Sequence, residues 1–369
     1  MLKIKHILCL LLGIIVSNSQ LDSQLLENNK SKQKPHFIGE TNTEYEEHFA
    51  KAVDELSQMI NDEIPISFKR GVFLIENAYY KGELDWNKFC SDIDDIVNKL
   101  KPIAEQHSNK GTNLSKNWAV FTYMSDSIPE NNYKPYSYDF ETFVDNYNSE
   151  SLLVSNLLRK GKGNCVSMPF LYKILANEIG AESYLTTAPM HYFIKIKDES
   201  GKWYNHKVTT GSFSRTSFII ESFGVTDRAL QSGLYMKPLN EKESLTELLK
   251  QLICYYEKRT GKYYGDIVLK AIENGLTARP TSTLLLSKID ALSYRMFLFC
   301  LINNIDQTKL TYESLKHYPI SSILNTQIGN LKDEVEEIGF TKFSEERYNK
   351  LYTEVMLYKK SLDKKEDEK

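Results

Sequence analysis

The chain has little that would tie it to a charged polymer or a membrane. Lys and Arg number 46 against 49 Asp and Glu, a net charge of −3, so no basic excess points to nucleic acid and no acidic excess to a solvating tail. After the first twenty residues no stretch approaches the about 20 continuous apolar residues that a transmembrane helix needs. Cysteine is scarce: the five present contain no C-x-x-C pair, which removes a zinc cluster by spacing and a disulfide scaffold by number. No glycine-rich loop suited to phosphate is evident, so no cofactor and no metal is expected. What the chain does have is 41% hydrophobic and 12% aromatic residues, enough to build packed cores. At about 150 residues per domain, the length points to two or three structural units.

Residues 1–19 read as a secretory signal peptide. Lys3, Lys5 and His6 precede the apolar run Ile7 to Val16, and the small polar Ser17-Asn18-Ser19 offers a cleavage point. Cleavage after Ser19 would remove Lys3 and Lys5 and take the net charge from −3 to −5. The expected mature protein is exported, periplasmic or extracellular, with no integral membrane segment. Residues 20–42 form a polar linker.

From 43 to 148 a helical N-terminal region is expected. Phe49, Val53, Leu56 and Ile60 recur at helical spacing, as do Phe89, Ile93, Ile96 and Leu100. Ser67 caps a helix between them, Asp85 caps the one from Trp86, and residues 103–148 read as loops and short helices. The pattern changes over 149–240. A short helix ends at Gly161-Lys162-Gly163, and a second runs from about Cys165 to Gly180. Three strands follow, Ser183–Thr187, Met190–Lys197 and Lys202–Val208, with a turn at Asp198–Gly201. Helix then antiparallel meander is an α+β unit. A helical C-terminal region spans 241–360, with a capping box at Ser244–Glu247, a helix capped by Ser282, and a frayed charged tail over 361–369. Val268, Gly275 and Pro280 sit at the offsets of one tetratricopeptide repeat, although an ordinary helical hairpin accounts for them equally well.

Cys90, Cys254 and Cys300 lie in helical apolar patterns and behave as small hydrophobes. Cys165 differs. Asn164 is a good cap, which puts Cys165 in the first turn of its helix, where unpaired N–H groups and the macrodipole favour a thiolate. Pro169 has no N–H for the Cys165 carbonyl, so that turn should be irregular. Alternation along the next strands puts His191 on the less apolar face, and hairpin pairing is expected to bring Asn205 near it, where its side chain can orient the imidazole. His206 is the rival histidine and alternates to the opposite face. Tyr184, Tyr192, Phe193, Trp203 and Tyr204 are candidates for a cleft lining, or for core.

The order Cys165, His191, Asn205 and the local text Gly161-Lys-Gly-Asn-Cys-Val-Ser-Met-Pro-Phe-Leu-Tyr172, Ala188-Pro-Met-His-Tyr-Phe-Ile-Lys195, Lys202-Trp-Tyr-Asn-His206 and Thr209-Thr-Gly-Ser-Phe213 resemble the transglutaminase-like superfamily. That superfamily is related to papain-type cysteine hydrolases. The resemblance is specific over about 150–240, and it is to an exported bacterial branch carrying a tetratricopeptide-like C-terminal part. It implies a papain-like α+β core acting on a peptide or protein substrate. Cys165 would attack an amide or ester carbonyl, His191 would shuttle the proton, and N–H groups at the helix start would meet the oxyanion. The third residue in the family is usually an aspartate, and the matching position here reads as Asn205, an uncharged orienter that stabilises an imidazolium less. The competing expectation is an inactive core serving as a protein interaction module, with the C-terminal helices as a surface for a protein partner.

Overall fold

The computed structural model describes residues 43–107, 112–140, 149–305 and 318–367, so the expected signal peptide and linker lie outside the described residues. In chain order the helices are α1 (Thr43–Ile60), α2 (Phe68–Tyr79), α3 (Trp86–Gln106), α4 (Thr112–Ser125), α5 (Val154–Lys160), α6 (Ser167–Glu178), α7 (Thr216–Phe223), α8 (Asp227–Gln231), α9 (Glu241–Thr260), α10 (Asp266–Ala278), α11 (Ser282–Ile302), α12 (Pro319–Glu337) and α13 (Glu345–Asp367). The strands are β1 (Ser137–Tyr138), β2 (Lys162–Gly163), β3 (Ser183–Ala188), β4 (His191–Lys197), β5 (Trp203–Lys207) and β6 (Ser212–Ser214). The architecture is mixed helix and antiparallel sheet, α+β.

Two compact units result, each discontinuous in sequence. One joins the chain up to Asp85 with Glu241–Ile338; the other joins Trp86–Asn240 with the chain from Gly339. The expected N-terminal helical region is thus divided between them. The expected tail is not frayed from residue 361, because α13 continues to Asp367 through a Lys- and Glu-rich stretch with no helix breaker.

The first unit is helical throughout its described residues. The stripe Phe49, Val53, Leu56 and Ile60 is buried, and α1 packs on α2, α9 and α10. The Ser67 hydroxyl accepts the Arg70 N–H at 3.1 Å and caps α2 as its position predicts. The capping box expected at Ser244–Glu247 is not one. The helix begins three residues earlier at Glu241, and Ser244 and Glu247 are interior residues with no exposure. Glu247 instead takes the Arg279 guanidinium at 2.8 Å and pairs with Lys250, an ion pair sealed inside the helical layer. The cap of α11 is Thr281, whose hydroxyl accepts the Leu284 N–H at 3.2 Å, one residue before the Ser282 expected. Consecutive helices α9 to α12 pack each on the next. At Gly275 of α10 a Cβ would lie 2.5 Å from Leu284 Cδ1, so any larger residue would have to push that methyl aside.

The second unit is built on a four-stranded antiparallel meander, β3-β4-β5-β6. β6 is a strand that sequence periodicity did not reveal, being only three residues long. The register pairs Ala188 with His191 across β3 and β4, and Lys197 with Trp203 across β4 and β5. Helices α4 and α6 cover one face. α4 lies where loops and short helices were expected, and its pattern escaped notice because its buried side carries Ser115 and Asn117 among apolar residues. Asn117 is satisfied there: its backbone carbonyl accepts the Tyr172 hydroxyl at 3.0 Å. The other face meets α7, and the free edge of β3 is closed by N–H groups of Met236 and Leu239 bonding to Thr187 and Leu185 carbonyls at 2.8 and 2.9 Å.

Candidate functional site

Cys165 is set by a turn between β2 and α6. Asn164 Oδ1 accepts the N–H groups of Val166 at 2.8 Å and Ser167 at 3.3 Å, and the Asn164 carbonyl accepts that of Met168 at 3.1 Å, the bonds of a helix cap. Ser167 Oγ accepts the Asn164 N–H at 3.1 Å and donates to the Ser151 carbonyl at 2.6 Å, which locks the turn from both sides. Cys165 and Val166 precede the regular helix, as the missing N–H of Pro169 requires. β1 runs parallel to β2 with Tyr138 opposite Gly163, and the Tyr138 hydroxyl lies within electrostatic reach of the thiol.

His191 opens β4 directly after a two-residue turn, Pro189-Met190. Met190 holds a φ of +61°, the left-handed conformation that follows proline in a type II turn and that a side chain adopts at a cost. The carbonyl of this residue faces Cys165, with Sγ at 3.9 Å. The fold therefore sets the thiol against the residue preceding His191. Among the described residues, Met190 O rather than the imidazole is the hydrogen-bond partner of Sγ, and His191 Nε2 is buried without one. The ring stacks on Phe223 of α7, centroids 5.2 Å apart at 17°.

Asn205 does not join this pair, and the expectation that it would is corrected by the register. It sits opposite Lys195, four residues along β4 from His191, which is about 13 Å at the rise of a strand. Its amide nitrogen donates to the Ser214 carbonyl at 3.1 Å and to Thr216 Oγ1 at 2.9 Å, tying β6 to the start of α7. Counting outward from the turn at Asp198–Gly201, the β5 residue that shares the His191 face nearest to it is Lys207. Sequence reasoning passed over Lys207, although this count could have found it. Its ammonium lies 5.7 Å from the Phe218 ring and 5.9 Å from the Phe223 ring.

The electrostatics follow from these placements. Burial pushes the Cys165 thiol up to about 11, against the lowering effect of a backbone hydrogen bond, so the thiolate expected at a helix start is not favoured. Burial, then the charge of Lys207, depresses His191 to about 3. Both groups are neutral near pH 7. His206 lies on the opposite face, fully buried between Phe121, Tyr172 and Phe213, and is likewise held down to about 3 by burial. Tyr192 and Phe193 pack inside the unit, Tyr192 against Phe170, whereas Trp203 is 41% exposed and edges onto Tyr184. Cys90, Cys254 and Cys300 lie outside this site and none forms a disulfide among the described residues.

Among the described residues, no three His, Cys, Asp or Glu side chains converge to hold a metal ion, and no helix is long and apolar enough to cross a membrane. Comparison with protein-family models, with curated proteins and with solved structures finds no match to this chain.

Proposed function

We propose that this chain is an exported protein with a transglutaminase-like core that binds a peptide or protein ligand without carrying out acyl transfer. The observation that carries this reading is the cation at Lys207. A histidine that takes a proton from a thiol must be stabilised as an imidazolium, and a carboxylate or amide on its second nitrogen normally does this. Beside His191 the fold offers a like charge instead, and the register places Asn205 four residues along the strand, with its amide nitrogen bound to Ser214 and Thr216. The helical surfaces that flank the sheet then carry the ligand, as in the interaction-module reading of the sequence.

A thiol-dependent hydrolase is the second reading, favoured by the contact between Cys165 and the residue before His191. The two are separated by the Lys207→Glu variant, with the imidazole followed by NMR titration and peptide turnover measured alongside. In the wild type we expect no turnover above that of Cys165→Ala, and in the variant we expect the His191 pKa to rise from about 3. Turnover by the wild type that Cys165→Ala abolishes would overturn the binding reading.

A further inference from the structure

We propose that the C-terminal helix α13 is a strap that closes the Cys165–His191 face of its unit and keeps the thiol latent. Arg347, Glu354 and Tyr358 are spaced by seven and four residues, which puts all three on one side of a helix with 3.6 residues per turn. Each meets a residue one step removed from the Cys–His pair. Arg347 Nη1 donates to the Gly224 carbonyl at 3.4 Å, and Gly224 follows Phe223, the ring stacked on His191. Glu354 lies within electrostatic reach of Lys207 without an ion pair between them, and the charge of Lys207 reaches His191. The Tyr358 ring is 6.1 Å from Phe140, itself 5.0 Å from Tyr138, the neighbour of Cys165.

The docking is graded along the helix. At its approach Thr226 Oγ1 donates to the Gly339 carbonyl at 3.1 Å, and a Cβ on Gly339 would stand 2.5 Å from the Ala229 nitrogen. At Gly224, with φ +63°, a Cβ would overlap the Arg347 guanidinium. Phe343 and Tyr348 are buried. Further on the contacts become an exposed carboxylate at Glu354 and a half-buried ring at Tyr358, and Leu357 is 60% exposed. A segment fixed near 339–348 and held at 354–358 by a long-range charge attraction and a half-buried ring is a hinge with a releasable end, because screened charges contribute little. Lys207 then has a positive role: its charge attracts Glu354 and favours the docked end. The strap rests on the functional reading above only in treating the Cys165–His191 face as the ligand face.

The test compares alkylation of Cys165 by iodoacetamide with that by a fluorescein-linked iodoacetamide, on the full chain, with the site assigned by mass spectrometry. The chemistry is the same for both probes, so the bulky-to-small rate ratio reads access and not nucleophilicity. We expect Glu354→Lys and, independently, Tyr358→Ala to raise that ratio about tenfold, and the charge swap Glu354→Lys with Lys207→Glu to return it to the wild-type value. Glu354 is exposed, so its replacement removes no packing. Ratios within about twofold of wild type in both single variants, or a swap that fails to restore closure, would overturn the strap. Neither result bears on turnover, so the binding-module reading stands or falls separately.

Discussion

His206 gives the fold a built-in sensitivity to acid that can be isolated from every other titration. The side chain has no exposure, and neither ring nitrogen finds a hydrogen-bond partner among the described residues. Phe121 of α4, Tyr172 of α6 and Phe213 of β6 surround it with centroids at 4.9, 5.1 and 5.2 Å. Its pKa falls from 6.5 to about 3 through burial alone. The unfolded chain therefore binds a proton from pH 6.5 downward that the native state refuses until about pH 3, so the neutral ring's contribution is intact above 6.5 and lost as pH falls. Linkage over that interval amounts to about 2 kcal/mol at pH 5 and about 3 kcal/mol at pH 4. The comparison is wild type against His206→Phe, unfolded by urea at pH 7.5, 5 and 4. Tryptophan fluorescence is a clean probe because Trp86, Trp118 and Trp203 all belong to the second unit. Any steric cost of the larger ring is independent of pH, and the carboxylates common to both proteins cancel. The variant should gain on the wild type by those amounts as pH falls. Parallel pH profiles for the two proteins would refute the reasoning, since they would mean that His206 protonates without unfolding.

Two further perturbations test local features elsewhere in the chain. Glu247→Gln removes the buried carboxylate shared by Arg279 and Lys250, and should cost the first unit about 3–5 kcal/mol in a far-ultraviolet circular dichroism melt; a loss below about 1 kcal/mol would show that the charges are compensated by other groups or by water. Met190→Gly relieves the left-handed backbone before His191 and should raise the fluorescence-detected midpoint of the second unit by the equivalent of about 1 kcal/mol; an unchanged or lower midpoint would show that the methionine side chain contributes as much as the strain costs.

The parts of this fold that were legible in the sequence are those where one apolar stripe decides the outcome. Phe49, Val53, Leu56 and Ile60 announce α1, and the alternation of Tyr192, Ile194 and Ile196 announces β4. Legibility failed where polar groups were drawn inside. Asn117 interrupts the stripe of α4 where its side-chain oxygen accepts the Tyr172 hydroxyl, Ser115 does so while bonding back to the Thr112 carbonyl, and Glu247 looks like a capping residue because its real partner, Arg279, is 32 residues away. The strands carrying the candidate site and the turn joining them were visible, but the register was not counted through. It depends on the turn after β4, where Asp198 accepts the N–H groups of Ser200 and Lys202, each at 2.9 Å, and fixes which residues face one another. A displacement of a few residues there is what exchanges Lys207 for Asn205 as the neighbour of His191.

That exchange changes the chemistry more than any other feature of the site. Passing the proton from Cys165, whose thiol burial pushes up, to His191, whose imidazole burial and Lys207 push down, is opposed from both ends. Burial is the leading cause on both residues, and Lys207 adds to it on the histidine alone. Reversing the charge at 207 therefore recovers only part of the imidazole's shift and none of the thiol's. Cys165 and His191 are each partly exposed, and on the proposed strap fuller access to solvent comes when the Glu354–Tyr358 end of α13 lifts. Lys207 then acts twice in one direction, opposing the imidazolium directly and attracting the carboxylate on the strap. Lys207→Glu repels Glu354 as well as removing the charge beside His191, so it should itself accelerate Cys165 alkylation, and adding Tyr358→Ala, which frees the same end of α13, should gain less than the product of the two single effects. Simple multiplication of the two effects would mean that strap and lysine work on separate steps.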